Sequence, residues 1–254
     1  MDDKLYITDS LYYKKNKLYH EFSDNNIVPP IVKITLINNL NWHKYLEDYG
    51  WEKLPLGWRK RLKTKDKNFR YGILDCGSQG DCLFHSIAEA LNDNTSLDNI
   101  MYCVENLREF TASMINANNF DMIIENYRCE KTDGCFDQSW DPFSVETIDD
   151  LKNEICKGGE GFWGDHVLLQ LLQEKLEFNT IILNSGEFDD NYSIHPLGNS
   201  IDKHEKTIVL YYDEGLHFKL VGYFNKNKMQ TVFKRNELPE KLLEIYNIDC
   251  HIEK

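Results

Sequence analysis

The chain has 254 residues, of which 41% are hydrophobic and 13% aromatic, an ordinary composition for a folded protein with one large core. Its formal net charge of −13 argues against a nucleic-acid-binding protein, because a phosphate backbone is bound by clustered basic residues. No stretch approaches about 18 apolar residues, and the opening MDDKLYITDS lacks the basic head and apolar run of a secretory signal, so neither a membrane segment nor a leader is predicted.

The seven cysteines are odd in number and irregularly spaced. In a chain of this size without a leader, this pattern favours free thiols in a reducing compartment, which predicts a cytoplasmic location. Cys129 and Cys135 are close enough in sequence to suggest a zinc site, but structural zinc needs four clustered ligands and no paired Cys or His motif lies nearby. No metal and no organic cofactor are predicted.

Residues 1–69 are predicted to form an amino-terminal extension that is rich in tryptophan and partly helical. They pass from a polar beginning, rich in Tyr and Asn, to a segment that holds Trp42, Trp51 and Trp58. Large aromatic residues anchor protein interfaces, so one interpretation is an interaction surface. The other is that these side chains pack the extension against the rest of the chain.

Residues 70–254 are predicted to form a second domain in which helices come first. A short apolar run, YGILDC (71–76), predicts a strand that enters a turn at Gly77-Ser78. Helical spacing of apolar residues then predicts helices over 82–92, 96–115 (capped by Ser96), 145–156 and 164–178.

Strands cluster in the last part of the chain. Four segments rich in Val, Ile, Tyr and Phe predict them: NTIILNS, KTIVLYYD, HFKLVGYF and MQTVFKR. The last two flank NKNK (225–228), which predicts a hairpin with Phe224 opposite Met229. LPEKLLEIY (238–246) predicts a C-terminal helix with Pro239 in its first turn. Helices followed by clustered strands are typical of an α+β domain.

Cys82 stands in GDCLFHSI (80–87), at the mouth of a predicted helix. The first turn of a helix has unpaired N–H groups and the positive end of the helix dipole, and both lower the pKa of a thiol. Gly77 and Gly80 permit a tight turn before it, whose amides can stabilise an oxyanion. Cys82 is therefore a candidate nucleophile. The alternative is a small buried residue at a helix start.

A thiol nucleophile needs a base, and His217 is the histidine whose surroundings suit that role. In YYDEGLHFKLVGYF it opens a predicted strand directly after a glycine-containing turn, where a rigid edge can hold a catalytic side chain. Imidazole titrates near pH ~6.5 and can accept the proton of a thiol. The alternative is a structural histidine at a strand end.

Three segments, in this order, resemble the ovarian-tumour (OTU) cysteine proteases, which are deubiquitinases. The nucleophile motif of that family, Asp-Gly-Asn-Cys, corresponds here to Gln79-Gly80-Asp81-Cys82. Trp163-Gly164 before an apolar helix matches the second motif, and His217-Phe218 matches the late His followed by an aromatic residue. The resemblance covers roughly residues 70–224.

The resemblance implies an OTU-type, papain-like α+β fold with a small central β-sheet packed between helices. It implies a thiol-dependent deubiquitinase that cuts after the C-terminal glycine of ubiquitin or a ubiquitin-like modifier without a cofactor. Cys82 is then the nucleophile and His217 the general base, while Gln79, which replaces the usual Asp, contributes to the oxyanion hole. The alternatives are a catalytically inactive OTU scaffold that binds ubiquitin or polyubiquitin chains, and a non-proteolytic thiol enzyme.

The residue that orients His217 is left open by the sequence. Many family members place Asp or Asn two positions after the His, where this chain has Lys219, which cannot accept a hydrogen bond. If the hairpin register continues, His217 lies opposite Asn236 in a Cys-His-Asn arrangement, although Asn236 also suits a cap of the following helix. Asp213 in the preceding turn and the upstream Asp75 are the other candidates.

The resemblance also implies a narrow channel for the terminal glycines of the modifier, flanked by acids that attract its basic tail. Candidates for that lining are Glu187, Asp189, Asp190, Asp213 and Glu214, although a solvated loop explains them equally well. The Tyr- and Asn-rich style and the divergent extension resemble OTU-type proteins of large DNA viruses. A viral protein of this kind is expected in the host cytoplasm or the virion.

Overall fold

The computed structural model describes residues 4–15, 17–24, 31–63, 69–92, 101–136, 138–185, 192–195, 201–213, 217–225 and 227–250. The chain divides into two compact units. The first unit comprises Met1–Leu74 and Val221–Gln230, and the second comprises Asp75–Leu220 and Thr231–Lys254. The first unit thus includes a late hairpin as well as the extension, and the assignment of separate domains to 1–69 and 70–254 stays a prediction.

The helices of the described residues are concentrated in the second unit. Their bounds are α1 Trp42–Tyr45, α2 Leu56–Arg61, α3 Cys82–Asn92, α4 Val104–Ser113, α5 Phe120–Thr132, α6 Ile148–Ile155, α7 His166–Leu176 and α8 Glu240–Asp249. Within the same residues, none of the helices has the length and apolar character needed to cross a bilayer.

The β-strands occur in both units. Their bounds are β1 Leu5–Tyr6, β2 Leu11–Lys14, β3 Lys17–Asp24, β4 Ile31–Leu36, β5 Trp51–Lys53, β6 Tyr71–Leu74, β7 Phe178–Asn184, β8 Ile194–His195, β9 Lys206–Asp213, β10 His217–Asn225, β11 Lys228–Gln230 and β12 Val232–Lys234. The first six precede the second unit, and the chain passes from the second unit into the first within β10.

The first unit contains an antiparallel sheet in the order β1-β2-β3-β4. Leu11 and Leu18 of this sheet form one buried cluster with Trp42, Phe224 and Met229. Trp42 and Trp58 are both fully buried, and the indole N–H of Trp42 donates to the Phe69 carbonyl at 3.2 Å. The burial of these two tryptophans favours a packing role over an exposed interaction surface.

The second unit contains a mixed sheet built around the parallel strands β7 and β9, with Ile181 opposite Val209. Both strands are buried over most of their length, which explains their nearly unbroken apolar sequences. β8 pairs with β7, while β12 pairs antiparallel with β9. Because α3 contacts β9, α7 contacts β7 and α8 contacts β8, the predicted α+β class is confirmed.

Two helices of the second unit matter for the candidate site. α3 occupies the span predicted for it, because Leu83, Ile87 and Leu91 recur at helical spacing and form a buried face. α7 begins where the side chain of Asp165 accepts a hydrogen bond from the Leu168 N–H at 2.9 Å, which satisfies a backbone group at the helix N-terminus.

The helix predicted over 96–115 begins only at Val104. Its N-cap is Cys103, which is extended, and the Asn106 side chain accepts from the Cys103 N–H at 2.9 Å. This local hydrogen bond ends the extended segment and starts the helix. The predicted cap Ser96 lies outside the described residues. α5 has no counterpart in the sequence prediction.

The predicted hairpin is confirmed, with Phe224 opposite Met229. The last predicted strand, however, is split at Thr231 into two short strands. β11 pairs with β10, whereas β12 pairs with β9. The simple hairpin register therefore ends at Gln230.

Candidate active site

Cys82 is the first residue of α3, and only 5% of it is exposed. The backbone N–H of Phe218 donates to its sulfur at 3.5 Å. One turn along α3, the hydroxyl of Ser86 donates to the Phe218 carbonyl at 3.5 Å. These two hydrogen bonds hold the residue next to His217 against the start of α3.

Burial raises the pKa of the Cys82 thiol above its ordinary value, because the thiolate would lose its contact with water. The backbone N–H groups of Phe218 and Leu83 favour the thiolate and lower this pKa, while the Asp75 carboxylate raises it further. The N–H groups at the helix start thus lower this pKa as expected, but burial outweighs them. The thiol depends on a base for its activation.

His217 opens β10 and bonds to Asp75, with 3.1 Å between its Nε2 and the carboxylate Oδ1. The same oxygen accepts the Gly77 N–H at 3.2 Å, which fixes the carboxylate beside the turn that precedes Cys82. Because an ionised carboxylate only accepts hydrogen bonds, Nε2 carries the proton and Nδ1 is the basic nitrogen. Of the acids considered for orientation of the imidazole, Asp75 is the one that the structure brings to His217.

Asp213 is engaged elsewhere. Lys219 donates to its Oδ2 at 2.7 Å, and the Tyr211 hydroxyl donates to its Oδ1 at 3.3 Å. Lys219, which stands where many family members have Asp or Asn, thus neutralises the acid at the end of β9. The structure does not bring Asp213 to His217.

Asn236 is exposed in a short 3-10 turn, Arg235–Glu237. It does not lie opposite His217 in a hairpin, because the chain changes its pairing partner at Thr231. It does not cap α8 either, since the N-cap of that helix is Pro239. Both interpretations of this residue are corrected.

Gln79 lies on the exposed side of the turn before Cys82. Its φ of 62° is in the left-handed region, which non-glycine residues seldom adopt. Among the described residues, none hydrogen-bonds with its side chain. Its role in an oxyanion hole stays a prediction.

Arg108 on α4 is a site residue that the sequence analysis does not single out. It is 1% exposed, and its guanidinium forms an ion pair with Asp81, directly before Cys82. The only indication of this role in the sequence is the presence of Asp81 directly before Cys82. A carboxylate next to a buried nucleophile needs a compensating cation or several N–H groups.

The nucleophile turn, defined here as residues 77–82, lies close to the segment that ends at Trp163-Gly164. A Cβ atom at Gly80 would lie 2.2 Å from the Gly159 carbonyl oxygen. A Cβ atom at Gly164 would lie 2.7 Å from Cβ of Leu83. The Gly164 N–H also donates to the Gly80 carbonyl at 3.0 Å. The Trp-Gly segment therefore supports the nucleophile through close backbone approach.

A cluster of three aromatic rings, those of Tyr212, Phe218 and His166, lies beside Cys82. The rings of Tyr212 and Phe218 are 4.5 Å apart, and His166 packs 5.0 Å from Tyr212. Burial, together with Asp165 and Cys82, raises the pKa of Tyr212 to about 12. A cavity of about 330 Å³ opens along Tyr212, His166 and neighbouring residues.

Asp165, the N-cap of α7, also accepts a hydrogen bond from the Tyr127 hydroxyl at 2.8 Å. Burial raises the pKa of Asp165 to about 6, despite the hydrogen bonds that favour its ionised form. This carboxyl supports the helix behind the nucleophile and takes no part in the His217 contact.

Within the described residues, no three His, Cys, Asp or Glu side chains are arranged to hold a metal ion. Cys129 and Cys135 are exposed free thiols. Four of the acids considered for a substrate channel lie outside the described residues: Glu187, Asp189, Asp190 and Glu214.

A family model described as OTU-like cysteine protease matches residues 77–218. Among solved structures, the chain is similar to the OTUD1 OTU domain at 17% identity, with 71% of this chain and 91% of that chain covered and a TM-score of 0.40. It is also similar to an OTU deubiquitinase from Wolbachia pipientis wMel at 17% identity, with 69% of this chain and 95% of that chain covered and a TM-score of 0.40. The viral OTU domain protease from Taggert virus gives 12%, 90%, 96% and 0.39 for the same quantities. No curated protein sequence matches the chain.

The matched span begins in the nucleophile turn and ends one residue after His217, so it contains both candidate catalytic side chains. It also covers the helices α3 to α7. Because this match extends over more than half of the chain, the protein belongs to the OTU-like cysteine protease family and has the OTU-type α+β fold.

Proposed function

We propose that the protein is a thiol-dependent deubiquitinase, which hydrolyses the isopeptide bond after the C-terminal glycine of ubiquitin or a ubiquitin-like modifier. One observation carries the proposal: Phe218 bonds to the sulfur of Cys82 while the adjacent His217 pairs with Asp75. A thiol, an imidazole and an acceptor that orients the imidazole are the working parts of a cysteine protease. Membership of the OTU-like family supports the same chemistry.

In the first half-reaction, Nδ1 of His217 accepts the thiol proton of Cys82, and the sulfur attacks the carbonyl carbon of the terminal glycine. Asp75 stabilises the resulting imidazolium through Nε2. The carbonyl oxygen becomes an oxyanion, for which the amides around Asp81 and Cys82 and the side chain of Gln79 are the proposed donors. When the C–N bond breaks, the imidazolium gives its proton to the leaving lysine amine.

In the second half-reaction, His217 accepts a proton from water, and the hydroxide formed attacks the thioester carbon. The C–S bond breaks, Cys82 takes the proton back from His217, and the modifier leaves as a carboxylic acid that releases its own proton to the solvent. Each step is a proton transfer or an acyl transfer. The balance therefore closes with water as the only co-reactant.

The experiment that tests the proposal is reaction of the full chain with ubiquitin that carries a C-terminal electrophile. An OTU deubiquitinase from Wolbachia pipientis wMel and the Hazara virus OTU have both been solved bound to ubiquitin, so ubiquitin is the first modifier to test. We expect one adduct at Cys82 by peptide mapping, none in Cys82→Ala, and a rate on the order of 10²-fold lower in His217→Ala. The exposed Cys129 provides the matched control, and Cys129→Ala should react like the native chain.

Hydrolysis of a panel of defined di-ubiquitins then measures turnover and linkage preference together. An adduct on another cysteine contradicts the proposed nucleophile. Saturable ubiquitin binding without an adduct and without di-ubiquitin hydrolysis supports an inactive scaffold instead. Turnover of a small thioester without reaction towards ubiquitin supports a non-proteolytic thiol enzyme.

A further inference from the structure

Arg108 is almost fully buried, and all three nitrogens of its guanidinium donate hydrogen bonds. Its Nε and Nη2 donate to one oxygen of Asp81 at 2.9 and 2.5 Å. Its Nη1 donates to the Ile155 carbonyl and its Nη2 to the Phe162 carbonyl, both at 2.7 Å. The guanidinium also lies 4.3 Å from the ring centre of Phe84 in the first turn of α3.

Asp81 is held from a second direction. Its other oxygen accepts the Gly159 N–H at 2.8 Å, and its backbone carbonyl accepts the His85 N–H at 2.9 Å, which is the first hydrogen bond of α3. The side chains of Arg108 and Asp81 are 2% and 16% exposed, so water competes little for these bonds. The residue next in the chain is Cys82.

We propose that Arg108 is a positioning residue of the active site, which acts through Asp81 to fix the nucleophile turn and the sulfur at its end. The guanidinium joins three parts of the chain at once: the turn through Asp81, the end of α6 through Ile155, and the segment before α7 through Phe162. It touches none of the reacting atoms. Its planar fork fixes direction as well as distance, which a lysine ammonium cannot do.

The ion pair also governs the charge next to the thiol. Without Arg108, the Asp81 carboxylate keeps one backbone N–H and becomes an uncompensated negative charge beside Cys82. A negative charge on the residue next to the thiol disfavours the thiolate. Arg108 therefore has two effects, on position and on charge, and a double variant can separate them.

A purely structural role is the competing explanation, because loss of one partner from a buried ion pair destabilises a fold. The chain offers a matched control for it. Arg128 on α5 also donates to two backbone carbonyls, those of Pro142 at 3.2 Å and Val145 at 2.8 Å, but it has no bond to the nucleophile turn. Arg128→Lys therefore weakens a more exposed arginine anchor, with 26% of its side chain accessible, away from Cys82.

The inference rests on the proposed function for its turnover measurement, so the experiment includes a second measurement that needs no modifier. The variants are Arg108→Lys, Arg108→Gln, Arg108→Gln with Asp81→Asn, and Arg128→Lys. For each folded variant, kcat and KM are measured on a fluorogenic ubiquitin substrate. Separately, the rate of alkylation of Cys82 by a small haloacetamide is measured against pH by peptide mapping, below the thermal midpoint of the variant.

We expect Arg108→Lys to lower kcat on the order of 10²-fold with KM changed by less than about threefold, as for a small misplacement of a reacting group. Arg108→Gln should shift the alkylation profile of Cys82 to higher pH. The double variant should return that profile to the native position but keep the loss of kcat. It removes both buried charges together and is therefore the variant most certain to fold.

Three outcomes overturn the inference. One is a native kcat in the double variant, and another is an equal loss of kcat in Arg128→Lys. The third is an alkylation profile that does not respond to Arg108→Gln. If no variant and not even the native chain turns over ubiquitin while the alkylation shift is present, the proposed substrate is wrong and the positioning of Cys82 stands.

Discussion

The two sides of the candidate active site are held in different ways. On the nucleophile side, the side chains of Arg108 and Asp81 are 2% and 16% exposed and belong to a network of charge-assisted hydrogen bonds. On the base side, the side chains of His217 and Asp75 are 26% and 55% exposed and share one contact of 3.1 Å. Water screens the attraction within a buried ion pair only slightly, whereas it strongly weakens the attraction within an exposed pair.

This difference indicates that the position of the Cys82 sulfur is fixed more firmly than that of the His217 imidazole. The sulfur must approach a carbonyl carbon along one direction, and the chain fixes it before any substrate arrives. The imidazole can adjust within the reach of one carboxylate, and we expect its order to increase when a bound substrate excludes water. The variants below test the two sides separately.

Asp75→Ala tests the base side and should have the largest effect. It removes the acceptor of His217 Nε2, so the imidazole samples the wrong tautomer and orientation. We expect kcat on a fluorogenic ubiquitin substrate to fall on the order of 10²-fold, with little change in KM. Asp75→Asn keeps an acceptor oxygen and should recover most of the loss. Equal losses in the two variants would mean that this contact does not orient the base.

The ionisation of Cys82 tests the nucleophile side. Because burial raises the pKa of this thiol, the thiolate of the substrate-free protein forms at a higher pH than that of an ordinary thiol. Its alkylation rate should rise about tenfold per pH unit through neutral pH, with a midpoint above that of a peptide thiol, near ~8.5. Peptide mapping distinguishes Cys82 from exposed cysteines. A rate that is already constant at pH 7 would indicate a preformed thiolate–imidazolium pair.

Gly80→Ala tests the close approach in the nucleophile turn, with Gly134→Ala as its control. Both glycines have positive φ, 88° and 73°, so alanine meets a similar backbone cost of about 1 kcal/mol at each. Only at Gly80 does the new Cβ meet another atom, 2.2 Å from the Gly159 oxygen, whereas nothing lies within 4 Å at Gly134. We expect kcat/KM to fall about tenfold or more in Gly80→Ala and less than about twofold in Gly134→Ala. Similar losses would rule out crowding in the turn.

Asp213→Ala should have the smallest effect on catalysis. Its carboxylate is occupied by Lys219, and the two side chains are 29% and 21% exposed. We expect kcat to stay within about twofold of the native value and the free energy of unfolding to fall by less than about 1 kcal/mol, as for a partly exposed ion pair. A loss of kcat as large as in Asp75→Ala would transfer the orienting role to Asp213.

Local pattern predicts much of the second unit. The bounds of α3 follow from apolar residues at helical spacing, and β7 and β9 follow from short apolar runs that a buried parallel pair requires. The four-stranded sheet of the first unit was not anticipated. Strands β2 and β3 consist mainly of Tyr and of polar residues such as Lys, and β4 keeps Val32 and Ile34 about half exposed, so the apolar alternation is weak.

The parts of the site that the sequence does not predict depend on partners far away in the chain. Asn236 is opposite His217 only if β11 continues, and the exchange of partner from β10 to β9 at Thr231 has no local signal. In the sequence, Arg108 does not differ from other polar residues of an amphipathic helix, and only the structure shows that it binds Asp81. Cys82 and His217, by contrast, stand in motifs whose order in the chain is itself informative.

Asp165 responds to acid in the opposite direction from Asp150 and Glu105. The carboxyls of Asp150 and Glu105 have a lowered pKa because of hydrogen bonds from Thr147 and Cys103, so the stability they contribute is lost as pH falls. The pKa of Asp165 is raised from 3.8 to about 6, so its contribution is present below about pH 4 and is lost as the pH rises through about 6. A denaturant titration of Asp165→Asn against the native chain from pH 4 to 7 should reveal this single proton as a difference that grows in favour of the variant. Acidification from about pH 7 to pH 4 thus stabilises the start of α7 behind the nucleophile. Further acidification removes the stability contributed by the carboxylates of Asp150 and Glu105, and the protonated Asp165 partly offsets that loss.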